Sequence, residues 1–184
     1  MIRTFIALEL PTALKKELEK VLTRWTPHAP SGVNWVKPQN LHLTLLFIGD
    51  VAPDKIDEID NMLQTHLESF PIFNFTSEGL EFFPAREPRM LWLKLSSPDE
   101  DIVKLNRKLL RDLDSLGILA DRKAMKLHIT LARFKSKFAP ETEREIMRYE
   151  FGKEPHRFES VSLFKSVLHP TGPQYTVLHK YNLK

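Results

Sequence analysis

Two stretches of this chain spell nearly the same word. Leu41-His42-Leu43-Thr44-Leu45-Leu46-Phe47-Ile48-Gly49 is answered by Leu127-His128-Ile129-Thr130-Leu131-Ala132-Arg133-Phe134. Both read apolar-His-apolar-Thr-Leu, in runs rich in residues that favour strands. Side chains alternate along a strand, so His42, Thr44 and Leu46 are expected on one face, and His128 and Thr130 on another. Leu41, Leu43, Leu45 and Phe47 then form an apolar face opposite the first set, as Leu127, Ile129 and Leu131 do opposite the second. Each strand offers one face to a core and one face carrying an imidazole beside a hydroxyl. Two such strands constrain the fold to bring matching halves to one site.

The spacing supports a duplication. The histidines are 128 − 42 = 86 residues apart in a chain of 184, close to half its length. Pro53 follows the first histidine by 11 residues and Pro140 follows the second by 12, and each is expected to open a helix. Phe75-Thr76-Ser77-Glu78-Gly79-Leu80 matches Phe158-Glu159-Ser160-Val161-Ser162-Leu163 at phenylalanine, serine and leucine. Upstream, a strand and helix over 2–25 answer a strand and helix over 89–116. Two copies imply a unit closed by a pseudo-twofold axis, not a solenoid.

Between these landmarks the periodicities predict a strand over 2–9 and a helix from Pro11-Thr12 to Trp25, with Leu14, Leu18, Val21, Leu22 and Trp25 inward. A short strand at 33–36 precedes the first His-Thr strand. A helix runs from Pro53 to about Ser69, with Ile56, Ile59, Met62, Leu63 and Leu67 inside. Strands at 72–83 and 89–95 follow, then a helix over 99–116 with Ile102, Leu105, Leu109 and Leu113 inward. After the second motif come a helix at Pro140 and strands near 156–165 and 174–181. Hairpin-like strands with helices between them predict an α+β fold of mainly antiparallel sheets. No interior stretch reads as a linker, so residues 1–184 are expected to form a single domain of two lobes facing across a cleft.

The chain contains no cysteine, which removes disulfides and thiolate metal sites together. No apolar run approaches the roughly 20 residues of a membrane helix. The first strand lacks the features of a signal peptide, so a cytoplasmic location is expected. A formal charge of +3 suits a phosphate-bearing partner held at an end or loop, not along an electrostatic track.

Two imidazoles facing each other, each beside a hydroxyl, suit a tetrahedral phosphorus. In-line displacement puts the entering and leaving oxygens on opposite sides, so one general base and one general acid should flank the centre. Histidine ionises near neutrality, which lets one ring be neutral and the other protonated. The threonine hydroxyls are placed to hold non-bridging oxygens. Such a site needs no metal and no nucleotide cofactor, and the sequence carries no P-loop, dinucleotide turn or Cys/His metal pattern.

On His42-Leu43-Thr44-Leu45 and His128-Ile129-Thr130-Leu131 the chain resembles the 2′-5′ RNA ligase / RNA 2′,3′-cyclic phosphodiesterase family of two-histidine (2H) phosphoesterases. Trp35-Val36 before the first motif, Leu46-Phe47-Ile48-Gly49 after it, Ala132-Arg133-Phe134 after the second and Leu163–Leu168 extend the likeness over the whole chain. The resemblance implies a bilobal fold and metal- and ATP-independent hydrolysis of RNA 2′,3′-cyclic phosphate ends to 2′-phosphomonoesters, with reversible 2′-5′ ligation. It also implies roles: His42 as proton donor, His128 as proton acceptor, and Thr44, Thr130 and Arg133 on the phosphate. The expected partner is RNA with a cyclic phosphate end, and the expected state a monomer. Asn34 departs from the basic residue common in the family before the tryptophan.

Other readings keep the site and change its use: a small cyclic nucleotide, an ADP-ribose cyclic phosphate, a 2′-5′ oligonucleotide, or a non-catalytic module that only binds RNA ends. Strict alternation places Arg133 away from His128, so it reaches the cleft only if the strand twists or bulges first. Core packing is the expectation for Phe47 and Tyr175, although such rings can stack on bases. Lys37, Arg122, Lys123, Lys126 and Lys135 lie close in sequence to the motif strands. His66 is expected on the surface of its helix.

Overall fold

The computed structural model describes residues 1–170 and 172–184. It contains two sheets, and every strand pairing in them is antiparallel. The strands are β1 (Ile2–Glu9), β2 (Asn34–Trp35), β3 (His42–Val51), β4 (Phe73–Phe83), β5 (Met90–Ser96), β6 (His128–Arg133), β7 (His156–Phe158), β8 (Ser160–His169) and β9 (Gly172–Asn182). The first sheet has the order β3-β1-β8-β9 and the second the order β2-β6-β5-β4-β7. Helices α1 (Thr12–Trp25), α2 (Lys55–Leu67), α3 (Asp101–Ser115) and α4 (Pro140–Met147) complete the α+β fold that the sequence predicts.

The duplication is written in the strand orders. β3-β1-β8 in one sheet corresponds to β6-β5-β4 in the other, so each motif strand is flanked by the strand that begins its own repeat. The repeat of Phe75–Leu80 in Phe158–Leu163 identifies the right pair of strands but not their register. Leu80 faces Leu93, and Val161 faces Leu8. Leu8 and Leu93 in turn face Leu43 and Ile129, which are equivalent. Leu80 therefore corresponds to Val161, not to Leu163.

Helical spacing determines what each helix buries. Leu14, Leu18, Val21, Leu22 and Trp25 of α1 are all buried, as expected of a stripe repeating every three to four residues. Ile59, Leu63 and Leu67 of α2 are buried, while Ile56 and Met62 pack at the core margin. This helix starts at Lys55 rather than Pro53, whose carbonyl accepts the Ile56 N–H at 3.2 Å in the preceding turn. The strand expected near 156–165 is two strands. The chain changes sheets at Glu159: β7 pairs with β4, and β8 pairs with β1.

In α3 the inward face holds Ile102, Leu105, Leu109 and Leu113, and also the buried Asn106. A buried amide needs a partner. Its Nδ2 donates to the carbonyl oxygen of Leu45 at 2.7 Å, on the first motif strand. That bond bears directly on the cleft.

Candidate active site

Each motif strand carries a bulge just past its threonine. Along β1, Ile6 faces Leu46 and Ala7 faces Thr44, which leaves Leu45 without an opposite number. Along β5, Leu91 faces Ala132 and Trp92 faces Thr130, which leaves Leu131 in the same situation. A bulged residue loses its ladder partner and reverses the alternation beyond it. Both orphaned carbonyls find donors outside the ladder: Asn106 Nδ2 for Leu45, and the Val36 N–H for Leu131 at 2.8 Å.

The bulges correct the predicted faces. Leu45 and Leu46 are both buried, and Phe47 turns out to the cleft with 49% of its surface exposed. Leu131 and Ala132 are likewise buried, and Arg133 turns to the cleft. Leu46 therefore leaves the face expected to carry His42, and Phe47 joins it. Phe47 and Arg133 occupy equivalent places in the two halves, so a ring on one side answers a guanidinium on the other.

All five expected site residues, His42, Thr44, His128, Thr130 and Arg133, surround one cavity of about 930 Å³ between the sheets. The two imidazoles are held alike. His42 Nδ1 lies 2.7 Å from the carbonyl oxygen of Asn40, and His128 Nδ1 lies 2.9 Å from that of Lys126. A carbonyl can only accept, so each Nδ1 carries a proton and each Nε2 is left to exchange one. Behind His128 lies Trp92, its ring centroid 4.3 Å away, with the indole N–H donated to Glu81 at 3.1 Å. Behind His42 lie Phe5 at 5.0 Å and Tyr175 at 5.4 Å.

Burial among these rings disfavours the imidazolium. For His42 it is the largest cause, reinforced by the charges of His128 and Arg133 and opposed by the Asn40 carbonyl, and it brings the pKa down to about 4. For His128 burial again dominates, with Arg133 and Lys126 adding to it and the Lys126 carbonyl opposing, so its pKa also falls below the ordinary value. With only protein groups around them, both rings are therefore neutral at pH 7. Among the described residues, no three His, Cys, Asp or Glu side chains gather as a metal-binding group.

Other residues are brought to the cavity by tertiary contacts. Tyr175 reaches the cavity from the β8–β9 hairpin instead of packing in the core. The buried side chain of Asn40 ties that hairpin down, donating from Nδ2 to the carbonyl oxygen of Pro173 at 2.8 Å. Asn34 lines the cavity and faces Arg133 across β2 and β6. Of the lysines and arginine near the motifs, Lys37 lines it, whereas Arg122 and Lys123 pair with Asp114 and Asp121. Lys126 Nζ sits 4.2 Å above the Phe83 ring. His66 is not a free surface group. Its ring is largely covered where α2 meets α3, and its Nε2 lies 2.5 Å from Asp112.

The model of the 2′-5′ RNA ligase superfamily matches residues 7–168. A protein of Thermotoga maritima named RNA 2′,3′-cyclic phosphodiesterase is 32% identical over 179 residues, covering 97% of this chain and 94% of its own. One of the same name from Archaeoglobus fulgidus is 31% identical over 183 residues, covering 97% and 99%. Among solved structures, TT0787 of Thermus thermophilus superposes with a TM-score of 0.81 at 28% identity, covering 98% of this chain and 97% of that one. Apo LigT of E. coli shares the fold, with a TM-score of 0.75 at 22% identity over 100% and 98% of the two chains. With two His-x-Thr strands meeting in one cleft and these likenesses running nearly end to end, the chain belongs to the 2′-5′ RNA ligase superfamily, among the 2H phosphoesterases that include the RNA 2′,3′-cyclic phosphodiesterases.

Proposed function

We propose that this protein hydrolyses the 2′,3′-cyclic phosphate at an RNA end to a 2′-phosphomonoester by paired-histidine acid–base catalysis. The observation that carries the reading is the matched presentation of two imidazoles, each pinned at Nδ1 and free at Nε2, beside two hydroxyls in one cavity. The names of the Thermotoga and Archaeoglobus relatives point to the same substrate.

In this mechanism water attacks phosphorus in line with the bond to the 3′ oxygen. His128 Nε2 accepts the proton of the water as the new P–O bond forms. His42 Nε2–H gives its proton to the 3′ oxygen as that bond breaks, leaving a 3′-hydroxyl and a 2′-phosphate. Thr44, Thr130 and Arg133 hold the non-bridging oxygens, where donors aimed at developing charge are most effective. The anionic phosphate brings a negative charge beside the rings, which favours protonation of a buried imidazole. Ligation through a 2′-5′ linkage is the same chemistry reversed, with a ribose hydroxyl in place of water.

A second reading exchanges the two roles, because both imidazoles are held alike at Nδ1 and burial depresses both toward the neutral form that a base requires. A leaving group that needs no proton distinguishes them. His42→Ala should lose most activity on RNA cyclic phosphate yet retain it on a p-nitrophenyl phosphodiester, while His128→Ala loses both; the opposite pattern exchanges the roles. The primary test is a short RNA with a cyclic phosphate end, assayed with EDTA and without ATP. Turnover to the 2′-phosphate, falling by about 10²–10⁴-fold in either alanine variant, is the expected result. No turnover by the folded native protein would sink the reading.

A further inference from the structure

The cavity is too large for a cyclic phosphate alone, and its volume of about 930 Å³ lies near the upper end for ligand pockets. It runs along the face of the first sheet away from the histidines. β1 has no extra residue, so Arg3, Phe5, Ala7 and Glu9 share a face. Ala7 is level with Thr44, and Arg3 lies four residues further on, about 13 Å along the strand. Arg3 is exposed, lines the cavity and makes no ion pair among the described residues, not even with Asp50 opposite it on β3. Phe47 faces Phe5 between the two levels, and the Tyr175 ring lies 4.9 Å from Phe5 and 5.4 Å from His42; both rings line the cavity. The charges of Arg133 and Arg3 both act on the Tyr175 phenol, so both guanidiniums lie within electrostatic reach of that ring.

We propose that Arg3 binds the phosphodiester on the 5′ side of the terminal nucleotide, whose sugar and base lie against Phe47 and Tyr175 while its cyclic phosphate lies between the histidines. A cation, two rings and a second cation in a row match a nucleoside with a phosphate at each end. Guanidinium donors suit a phosphodiester, and aromatic faces accept any base. The other half offers no such end: Met90 corresponds to Phe5, and Pro88 therefore to Arg3. One side of the cleft alone thus receives the nucleoside, and it is the side of His42. Because the leaving 3′ oxygen belongs to that nucleoside, this placement makes His42 the donor and His128 the base.

This inference rests on the phosphodiesterase reading and selects an RNA chain over a nucleoside 2′,3′-cyclic phosphate as the preferred substrate. The test compares kcat/KM for adenosine 2′,3′-cyclic phosphate with and without a 5′-phosphate, in the native protein, Arg3→Gln and Arg3→Lys. The 5′-phosphate should raise kcat/KM by about tenfold or more in the native protein, the scale of one charge-assisted hydrogen bond. Arg3→Gln should bring that ratio close to one, and Arg3→Lys should leave part of it. A native ratio of one, or one that Arg3→Gln leaves intact, overturns the assignment while the phosphodiesterase reading stands. If neither compound turns over, that reading fails, and titration calorimetry decides the subsite separately. Adenosine 2′,5′-bisphosphate should then bind more tightly than adenosine 2′-phosphate by a margin that Arg3→Gln removes; equal affinities overturn the subsite.

Discussion

Lowering the pH should expose the cost of burying His42. Its pKa is about 4 in the folded protein against an ordinary 6.5, because the rings around it exclude the water that would solvate an imidazolium. Between those two values the unfolded chain binds a proton that the folded chain refuses. Stability therefore rises with pH through this window, is complete above about 6.5, and is lost as pH falls toward 4. At about 1.36 kcal/mol per pH unit the interval corresponds to about 3 kcal/mol. His128, depressed for the same reason, adds a contribution of the same sign. The perturbation that isolates His42 is His42→Asn, whose amide can still donate to the Asn40 carbonyl but does not titrate. Urea unfolding of both proteins at several pH values from 4 to 7.5 gives the difference directly. The stability of the native protein relative to the variant should fall by about 3 kcal/mol from pH 7 to pH 4. Inorganic phosphate should reduce that fall, since a bound anion favours the protonated ring. Parallel stability curves would refute the argument, because His42 would then titrate as it does in the unfolded chain.

Further outcomes follow from the same cleft. Asn106→Leu should cost about 1–3 kcal/mol in denaturant unfolding, because it leaves the Leu45 carbonyl without its 2.7 Å donor. It should also slow turnover, since that bulge sets the direction of Phe47. Arg133→Ala should reduce kcat/KM on RNA cyclic phosphate by about tenfold or more, with Arg133→Lys restoring only part of it, because a point charge replaces a fork of donors. Steady-state kinetics on both variants check this. Phe47→Ala should leave the unfolding midpoint nearly unchanged, as its ring is 49% exposed, but weaken RNA binding by about 1 kcal/mol or more in a fluorescence titration.

The histidines and threonines were legible because they sit before the bulges, where simple alternation holds. His42 and Thr44, and His128 and Thr130, are separated by one buried residue each, and both pairs line the cavity as the period of two requires. The α1 stripe was legible for a similar reason, since its five buried residues follow the helical period. Phe47 was misplaced because period-two counting assumes an unbroken ladder, and nothing in Leu45-Leu46 marks the interruption. What stabilises it is the Asn106 amide, 61 positions away. Tyr175 was misplaced because its hairpin is tied to the turn before the first motif strand through the Asn40–Pro173 bond, across 133 positions.

By itself the sequence determined the duplication, the α+β class and the identity of the paired His-Thr strands, because these follow from short-range periodicities and a repeated word. Tertiary structure alone decided which side chains beyond the threonines turn into the cleft, how deeply each imidazole is buried, and which end of the cleft carries a second cation. Those outcomes depend on where an unpaired carbonyl finds its donor and on which rings exclude water. Both are settled by contacts between segments far apart in the chain.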